Sequence, residues 1–197
     1  MSPGADQHFE QALADLVSGM REIGAPFMLI GGLAVISRGV PRTTHDIDAT
    51  CWAEGLDPER VLDVLGRHGI EPRIGDAAEF ARQRQVFLLR HRRSGTPLEL
   101  SLAWLPFERE ALEHATDVPI GDVVAPVARA EDLVVFKAVA WRDRDRDDIA
   151  RLLVLHAETI DLDRVRRLVS EFAAVLEQPE RLDEFDTLVA RTAGRDS

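Results

Sequence analysis

Residues 27–48 decide the fold, and they read F-M-L-I-G-G-L-A-V-I-S-R-G-V-P-R-T-T-H-D-I-D. The apolar run at 27–30 predicts a buried strand, and the apolar residues that follow Gly31 and Gly32 predict a short helix. Residues 45–52 predict a second strand. Two glycines between a strand and a helix permit a tight turn and let a phosphate group approach backbone N–H groups. The alternative is an ordinary turn, in which Gly-Gly is also common.

Asp46 and Asp48 place two carboxylates two positions apart at the start of the second predicted strand. Residues i and i+2 of a strand lie on the same face, so both acids would point the same way while Ile47 points into the core. Like charges held that close repel each other, and a divalent cation between them removes the repulsion. Carboxylate oxygens favour Mg²⁺ or Mn²⁺. Two acids in an exposed loop are the alternative.

Glu99 is an acid inside a run of leucines. Residues 85–92 and 97–104 predict two strands, joined at Ser94 and Gly95 by a hairpin turn. A carboxylate within such a strand needs a metal, an arginine or water on its face. A solvated outer face is the alternative.

Lys137 is the only lysine among the 24 basic side chains. It lies in a mostly apolar predicted helix, 131–141, where a lysine needs a partner. The compact ammonium of lysine and the planar guanidinium of arginine are not equivalent. One interpretation is therefore a site that tolerates only lysine, and the other is that this single lysine was retained by chance. Asp148 would return close to the Lys137 face if the helix continued unbroken, whereas the charged run 142–148 can instead mark a helix break.

The charge balance limits which partners the surface as a whole can bind. The chain has 197 residues with 35 acidic and 24 basic side chains, for a formal net charge of −11. This excess of acid argues against a nucleic-acid binder that works by overall charge, but it leaves a local basic patch open. Residues 80–98 contain no acid and five arginines, namely Arg82, Arg84, Arg90, Arg92 and Arg93. A solvated strand face is the alternative.

Strand and helix patterns alternate in the first two thirds of the chain, whereas the last third has helical patterns only. The predicted domains are therefore an α/β core at 1–128 and a helical C-terminal region at 129–197. The polar N-terminus lacks the order of a signal peptide, and no apolar run approaches the length that spans a bilayer. The lone cysteine gives no disulfide framework. We expect a cytoplasmic protein with no membrane segment.

The glycine pair and the acids combine into a longer pattern. Gly31-Gly32 is followed by a spacer of 13 residues, then by Asp46-x-Asp48, and about fifty residues later by the strand acid. This pattern resembles the nucleotidyltransferase superfamily, which has the DNA polymerase β-like fold. The third acid of that superfamily is usually aspartate, and Glu99 is one methylene longer.

Residues 126–149 carry a second resemblance. They read P-V-A-R-A-E-D-L-V-V-F-K-A-V-A-W-R-D-R-D-R-D-D-I, and they are similar to the segment that follows the core in the AbiEii/MenT-like nucleotidyltransferase toxin family. In that family a lysine lies in a helix that begins near E-D-L, and a charged stretch follows it. Arg144 stands where a lysine is common. The two resemblances together cover residues 26–155.

The resemblance implies a fold and a reaction. The fold is an α/β (α+β) nucleotidyltransferase core with a short mixed sheet, followed by a helical C-terminal region packed on the core. The reaction is transfer of a nucleoside monophosphate from an NTP to an acceptor hydroxyl, with release of pyrophosphate. Asp46, Asp48 and Glu99 would hold two Mg²⁺ ions, or Mn²⁺ in their place. Glu99 would also accept the proton of the attacking hydroxyl.

The same resemblance implies how the nucleotide is bound. Gly31 and Gly32 would present N–H groups to the terminal phosphates, and Thr44 would touch a phosphate oxygen. Lys137 would neutralise charge on the triphosphate or on the leaving pyrophosphate, with Asp148 in the same nucleotide site.

The resemblance also implies an acceptor and a partner. It suggests a toxin of a toxin–antitoxin pair that modifies the 3′ end of tRNA through the arginines of 80–98, with a cognate antitoxin protein as partner. One alternative is a nucleotidyltransferase that acts on a small hydroxylated molecule such as an aminoglycoside, which the net charge of −11 mildly favours. The other is a non-catalytic protein that binds nucleotide or another protein.

Overall fold

A computed structural model describes residues 3–193 of the chain. The chain divides into two compact units. The first unit ends at Ala128, except that a short loop within it, Arg38–Pro41, belongs to the second unit with the rest of the chain. Residues 1–2 and 194–197, which the predicted domains include, lie outside the described range.

The first unit consists of one sheet and the helices that accompany it. The helices are α1 (Pro3–Ile23), α2 (Gly31–Ser37), α3 (Pro58–Arg67), α4 (Ala77–Arg84) and α5 (Pro106–Glu113). The strands are β1 (Phe27–Ile30), β2 (Ile47–Trp52), β3 (Ile70–Pro72), β4 (Val86–His91), β5 (Pro97–Ala103), β6 (Thr116–Ile120) and β7 (Val123–Val127). Their order in the sheet is β3-β4-β5-β2-β1-β7-β6. The sheet is mixed, because β2 runs parallel to β5 and β1 to β7 while the other neighbours are antiparallel.

The central strands separate an apolar face from a polar face. On one face, alternate residues of β2, β4 and β5 are apolar and buried, and they are Ile47, Ala49, Cys51, Phe87, Leu89, Leu98, Leu100 and Leu102. The opposite face carries Asp48 and Glu99, which are less buried. The two-residue period of an extended chain produces this division. Burial of the apolar face therefore fixes the direction of both carboxylates.

The second unit is built from the helices α6 (Ala130–Ala140), α7 (Asp143–Leu155), α8 (Leu162–Val175) and α9 (Glu180–Ala193). Helix α6 packs against α7 and α8, and α9 packs against the same two helices. Helix α6 is buried along most of its length, including Leu133, Val134 and Ala138. A helix that is apolar on nearly every side is the expected centre of such a unit.

The predicted fold class is confirmed, since a mixed α/β sheet unit is followed by a helical C-terminal region. The predicted strand at 27–30 has the same bounds as β1. Helix α5 ends at Glu113, and Thr116 already belongs to β6. Within the described range, no helix is both long and apolar enough to cross a membrane.

Candidate active site

The sharp turn from β1 into the first two residues of α2 requires that both residues are glycines. Gly31 has a φ of +64°, and a Cβ added there would lie 1.9 Å from Oδ2 of Asp48. A Cβ added at Gly32 would lie 2.6 Å from Oγ1 of Thr44 and 3.0 Å from Nη2 of Arg42. Any larger residue would push these side chains away. The glycines therefore allow the turn to lie directly against the acid-bearing segment.

Strand register brings two of the predicted acids together. Asp48 pairs with Ile30 on β1 and, on its other side, with Glu99 on β5. Residues opposite each other on neighbouring strands share a face, and the strands of a sheet lie about 4.8 Å apart. Asp48 is half-buried and Glu99 is exposed. Asp48 and Glu99 are thus neighbouring positions on one sheet face, although they lie 51 positions apart in the sequence.

Asp46 lies directly before β2 and is exposed. Its Oδ1 accepts a hydrogen bond from Oγ1 of Thr44, at 2.5 Å. Thr44 is itself only 9% exposed. The single hydroxyl proton of Thr44 is used in this bond, so Thr44 orients the Asp46 carboxylate in this structure.

Glu99 contacts an arginine that the sequence analysis did not identify. Nη2 of Arg73 lies 3.1 Å from Oε1 of Glu99. Arg73 follows β3, and its backbone N–H donates to the carbonyl oxygen of Leu88 at 2.9 Å. No motif distinguishes Arg73 from the other arginines, so only the pairing of β3 with β4 and of β4 with β5 reveals the contact.

Arg42 is a second residue that the sequence analysis did not identify. Its guanidinium lies against Gly32, beside Thr44. A signal for it exists, because Arg42, Thr44, Asp46 and Asp48 alternate along the chain with a period of two. This spacing would have placed all four on one side of an extended segment.

In this structure, Asp46, Asp48 and Glu99 do not converge on one point as metal ligands would. Among residues 3–193, no three His, Cys, Asp or Glu side chains converge as metal ligands. Asp46 accepts from Thr44, and Glu99 contacts Arg73 instead. The donor chemistry nevertheless fits a divalent cation, since carboxylate oxygens near the surface are the ligands that Mg²⁺ and Mn²⁺ prefer. A cation that used all three acids would have to replace Arg73 at Glu99.

Lys137 lies in the second unit and is 7% exposed. Its Nζ lies 2.8 Å from Oδ2 of Asp148 and 3.1 Å from Oδ1 of Asp145. The helix does not continue unbroken, because Trp141 has a φ of +52° and ends α6. The charged run therefore marks a break, and α7 still brings Asp148 to Lys137.

Asp145 is a partner of Lys137 that the sequence analysis did not identify. It is the third residue of α7 and accepts from the backbone N–H of Arg142 at 3.0 Å. Burial alone would raise the pKa of Asp145, but the charge of Lys137 and the hydrogen bond from Arg142 hold it below its ordinary value. Asp145 is therefore ionised at neutral pH and forms an ion pair with Lys137.

The arginines of 80–98 do not form a single strand face, because Arg82 and Arg84 lie on α4 while Arg90 lies on β4. Arg82 forms an ion pair with Glu59. Arg90 and Arg92 both form ion pairs with Glu71, at 2.8 and 3.1 Å. Arg84 and Arg93 have no acidic partner within the described part of the chain, and both are exposed. The net positive charge available to an RNA backbone is therefore smaller than the sequence indicates.

Comparison with solved structures identifies the fold as that of nucleotidyltransferases. The chain is similar to the antibiotic-resistance factor ANT(2″)-Ia, with a TM-score of 0.56 and 17% identity over 94% of this chain and 100% of that chain. A crystal structure of ANT(2″)-Ia with adenylyl-2″-tobramycin gives a TM-score of 0.54 and 18% identity, covering 87% and 98% of the two chains. An antigenic nucleotidyltransferase-like protein from Paracoccidioides brasiliensis gives 0.53 and 14%, covering 93% and 94%.

These likenesses establish the fold alone. No protein-family model matches the sequence, and no curated protein matches it. The resemblance to AbiEii/MenT-like toxins therefore stays a prediction.

Proposed function

We propose that the protein is a divalent-metal-dependent nucleotidyltransferase that transfers a nucleoside monophosphate from an NTP to an acceptor hydroxyl and releases pyrophosphate. The observation that carries this proposal is the placement of Asp48 and Glu99 opposite each other on β2 and β5, directly beside the Gly31 turn. Two carboxylates on one sheet face beside a glycine turn fit a metal-dependent phosphoryl-group transfer.

Asp46, Asp48 and Glu99 would hold Mg²⁺, with two ions expected from the resemblance. When bound, Mg²⁺ supplies positive charge that stabilises the negative charge developing on the phosphate oxygens. Thr44 keeps the Asp46 carboxylate oriented through its hydrogen bond. Glu99 is exposed enough to accept the proton of an attacking hydroxyl.

The triphosphate would lie at the Gly31-Gly32 turn, where neither residue has a side chain of its own to keep a phosphate from the backbone N–H groups. Arg42, whose guanidinium lies against Gly32, would supply positive charge there. Lys137 and Asp148 were predicted for the nucleotide site by resemblance, and that role stays a prediction. Within the second unit the Lys137 charge is shared by two aspartates, so it would have to exchange partners to reach a phosphate.

For the acceptor, we propose the 3′ end of tRNA and a toxin of a toxin–antitoxin pair. Support comes from the resemblance of 126–149 and from the exposed Arg84 and Arg93. In this proposal, induced expression would arrest growth, and a cognate antitoxin protein would relieve the arrest. The Asp48→Asn variant would be harmless at the same expression level, and arrest by that variant would contradict a toxic transferase activity.

A small hydroxylated acceptor is the second candidate. Two observations favour it, namely the ion pairs that neutralise Arg82, Arg90 and Arg92 and the likeness in fold to a protein whose structure holds adenylyl-2″-tobramycin. A carboxylate-rich face attracts cationic molecules rather than RNA.

One labelling experiment separates these acceptors. The protein is incubated with each α-labelled NTP and Mg²⁺, together with total RNA in one arm and an aminoglycoside mixture in the other. Label in RNA of tRNA size supports the tRNA proposal if it fails to appear when the RNA is oxidised with periodate beforehand, which destroys the acceptor 3′-terminal diol. Label in the aminoglycosides supports the second candidate. Nucleotide binding without label in either arm indicates the non-catalytic alternative.

Charge reversal tests the RNA contact in the same assay. Arg84→Glu and Arg93→Glu should lower RNA labelling and make what remains less sensitive to salt, because fewer phosphate contacts release fewer counterions. Arg82→Glu is the matched control, because Arg82 is already neutralised by Glu59. Unchanged RNA labelling in the Arg84 and Arg93 variants would remove these two residues from the proposal.

A further inference from the structure

One row of residues crosses the polar face of the sheet from β3 to β2. Arg73 donates its backbone N–H to the carbonyl of Leu88, Leu88 pairs with Glu99, and Glu99 pairs with Asp48. The Arg73 side chain reaches across β4 to place Nη2 at 3.1 Å from Oε1 of Glu99. A guanidinium thus lies at one end of a row that continues through Leu88 to two predicted metal ligands.

The pair is exposed enough to exchange partners. The Arg73 side chain is 33% exposed and the Glu99 side chain is 50% exposed. Ion pairs in such positions are weak, because water screens both charges. By contrast, a divalent cation carries two positive charges and can bind several carboxylates at once, so it binds more strongly than one guanidinium.

We propose that Arg73 is a positioning residue that takes the place of the divalent cation at Glu99. It neutralises Glu99 while no metal is bound, and it releases the carboxylate when a cation binds. This inference rests on the proposed function, because it requires that Glu99 and Asp48 share a metal site.

The exchange has two opposite effects on the site. While no metal is bound, Arg73 lowers the repulsion between the Glu99 and Asp48 carboxylates, which stabilises the sheet at this point. When a cation enters, it must first break the Arg73 contact, so Arg73 lowers the affinity for the metal. The loss of affinity is limited to about fivefold, which corresponds to about 1 kcal/mol, the upper end for an exposed ion pair.

A direct metal titration tests this inference without NTP. Mn²⁺ binding to the full chain is measured by the loss of the free-ion signal in electron paramagnetic resonance. Arg73→Gln should bind Mn²⁺ about two- to fivefold more tightly than the wild type, whereas Arg73→Lys, which keeps the charge, should stay close to it. Arg90→Gln is the matched control, since Arg90 pairs with Glu71 and not with the predicted ligands.

The double variant Arg73→Gln/Glu99→Gln isolates the contact. It should bind Mn²⁺ no more tightly than Glu99→Gln alone, because no carboxylate is then left for Arg73 to release. An independent readout is modification of arginines by phenylglyoxal, followed by mass spectrometry. Mn²⁺ should increase the labelling of Arg73 and leave that of Arg90 unchanged.

The possible outcomes separate this inference from the proposed function. If the wild type binds Mn²⁺ and Asp48→Asn abolishes the binding, but Arg73→Gln binds no more tightly, the role of Arg73 is wrong and the metal site stands. If neither Asp48 nor Glu99 affects Mn²⁺ binding, the metal site itself is wrong, and the inference falls with it.

Discussion

The carboxylates of the two units lie in opposite environments. In the helical unit, Asp132, Asp145 and Asp148 are buried, and each contacts a lysine or an arginine. In the sheet unit, Asp46 and Glu99 are exposed. Asp46 accepts a hydrogen bond from Thr44, and Glu99 forms an ion pair with Arg73. A buried acid needs a permanent cation, since an unpaired buried charge costs several kcal/mol. An exposed acid can exchange its partner for a metal ion. The contrast predicts that the first group serves stability, and it supports the proposal that the second group binds a metal ion.

The largest effect is expected at Lys137. The substitution Lys137→Met leaves the buried Asp145 and Asp148 without their shared cation, so we expect the free energy of unfolding to fall by about 3 to 5 kcal/mol. Urea unfolding of the full chain measures this loss. Lys137→Arg is the control that keeps the charge. If Lys137→Met instead keeps its stability and loses NTP turnover, Lys137 serves the nucleotide, as the resemblance implies.

The next effect is expected at Gly31. An alanine there must adopt a φ of +64° and place its Cβ 1.9 Å from the Asp48 carboxylate. We expect Gly31→Ala to lower the free energy of unfolding by about 2 kcal/mol and to displace Asp48.

The matched control for this substitution is Gly55→Ala, because Gly55 also has a positive φ, +76°, but no atom lies within 4 Å of its added Cβ. It should cost only the backbone strain, about 1 kcal/mol. Equal effects of the two substitutions would show that the close approach to Asp48 has no energetic importance.

Acid should weaken the helical unit through Asp145. The pKa of Asp145 in the folded protein lies below its ordinary value of 3.8, so the unfolded chain binds the proton first as the pH falls. The stability that ionised Asp145 contributes is complete above its ordinary pKa and is lost as the pH falls through its folded-state pKa. Urea unfolding at a series of pH values below about 5 should show this loss, and Asp145→Asn should reduce the slope. An unchanged slope in that variant would assign the acid sensitivity to other carboxylates.

The smallest effect is expected at the surface ion pairs of the sheet unit. Arg90→Gln removes one of the two arginines that contact Glu71. We expect its free energy of unfolding to change by less than about 1 kcal/mol, because such pairs are screened by water and salt. Thermal denaturation at low and high salt measures it. A loss as large as that of Lys137→Met would break the distinction between buried and exposed charges.

Sequence patterns predicted the elements that are buried and missed those at the sheet edges. The apolar run at 27–30 is a strand with the predicted bounds, and the strands predicted at 45–52, 85–92 and 97–104 are present with shifts of one or two residues at their ends. Strand β3 has only three residues and ends in a proline, and β6 contains a proline and an acid. Both lie at the edges of the sheet. Edge strands bury little apolar surface and use proline and charge to avoid further pairing, so they lack the alternation that identifies central strands.

The residues of the candidate site also fall into two groups, those that the sequence predicts and those that only the fold reveals. Spacing alone suggested that Asp46 and Asp48 act together, because their relation is local. Glu99, the neighbour of Asp48, was predicted as an unusual acid in a strand and through the resemblance, whereas the register of β2 with β5 is a property of the folded sheet. The sequence did not single out Arg73 or Asp145, because arginine and aspartate are common at exposed positions. Only the fold shows that Arg73 contacts Glu99 and that Asp145 contacts Lys137.

The most direct test compares one acid from each unit. Asp48→Asn and Asp132→Asn are each incubated with α-labelled NTP, Mg²⁺ and total RNA or an aminoglycoside mixture, and pyrophosphate release and thermal stability are both measured. We expect Asp48→Asn to lose at least about 100-fold in turnover with little change in stability. Asp132→Asn, which disturbs the contacts with Arg129 and Arg164, should lose stability and keep its turnover per folded molecule. Wild-type turnover by Asp48→Asn would contradict the account.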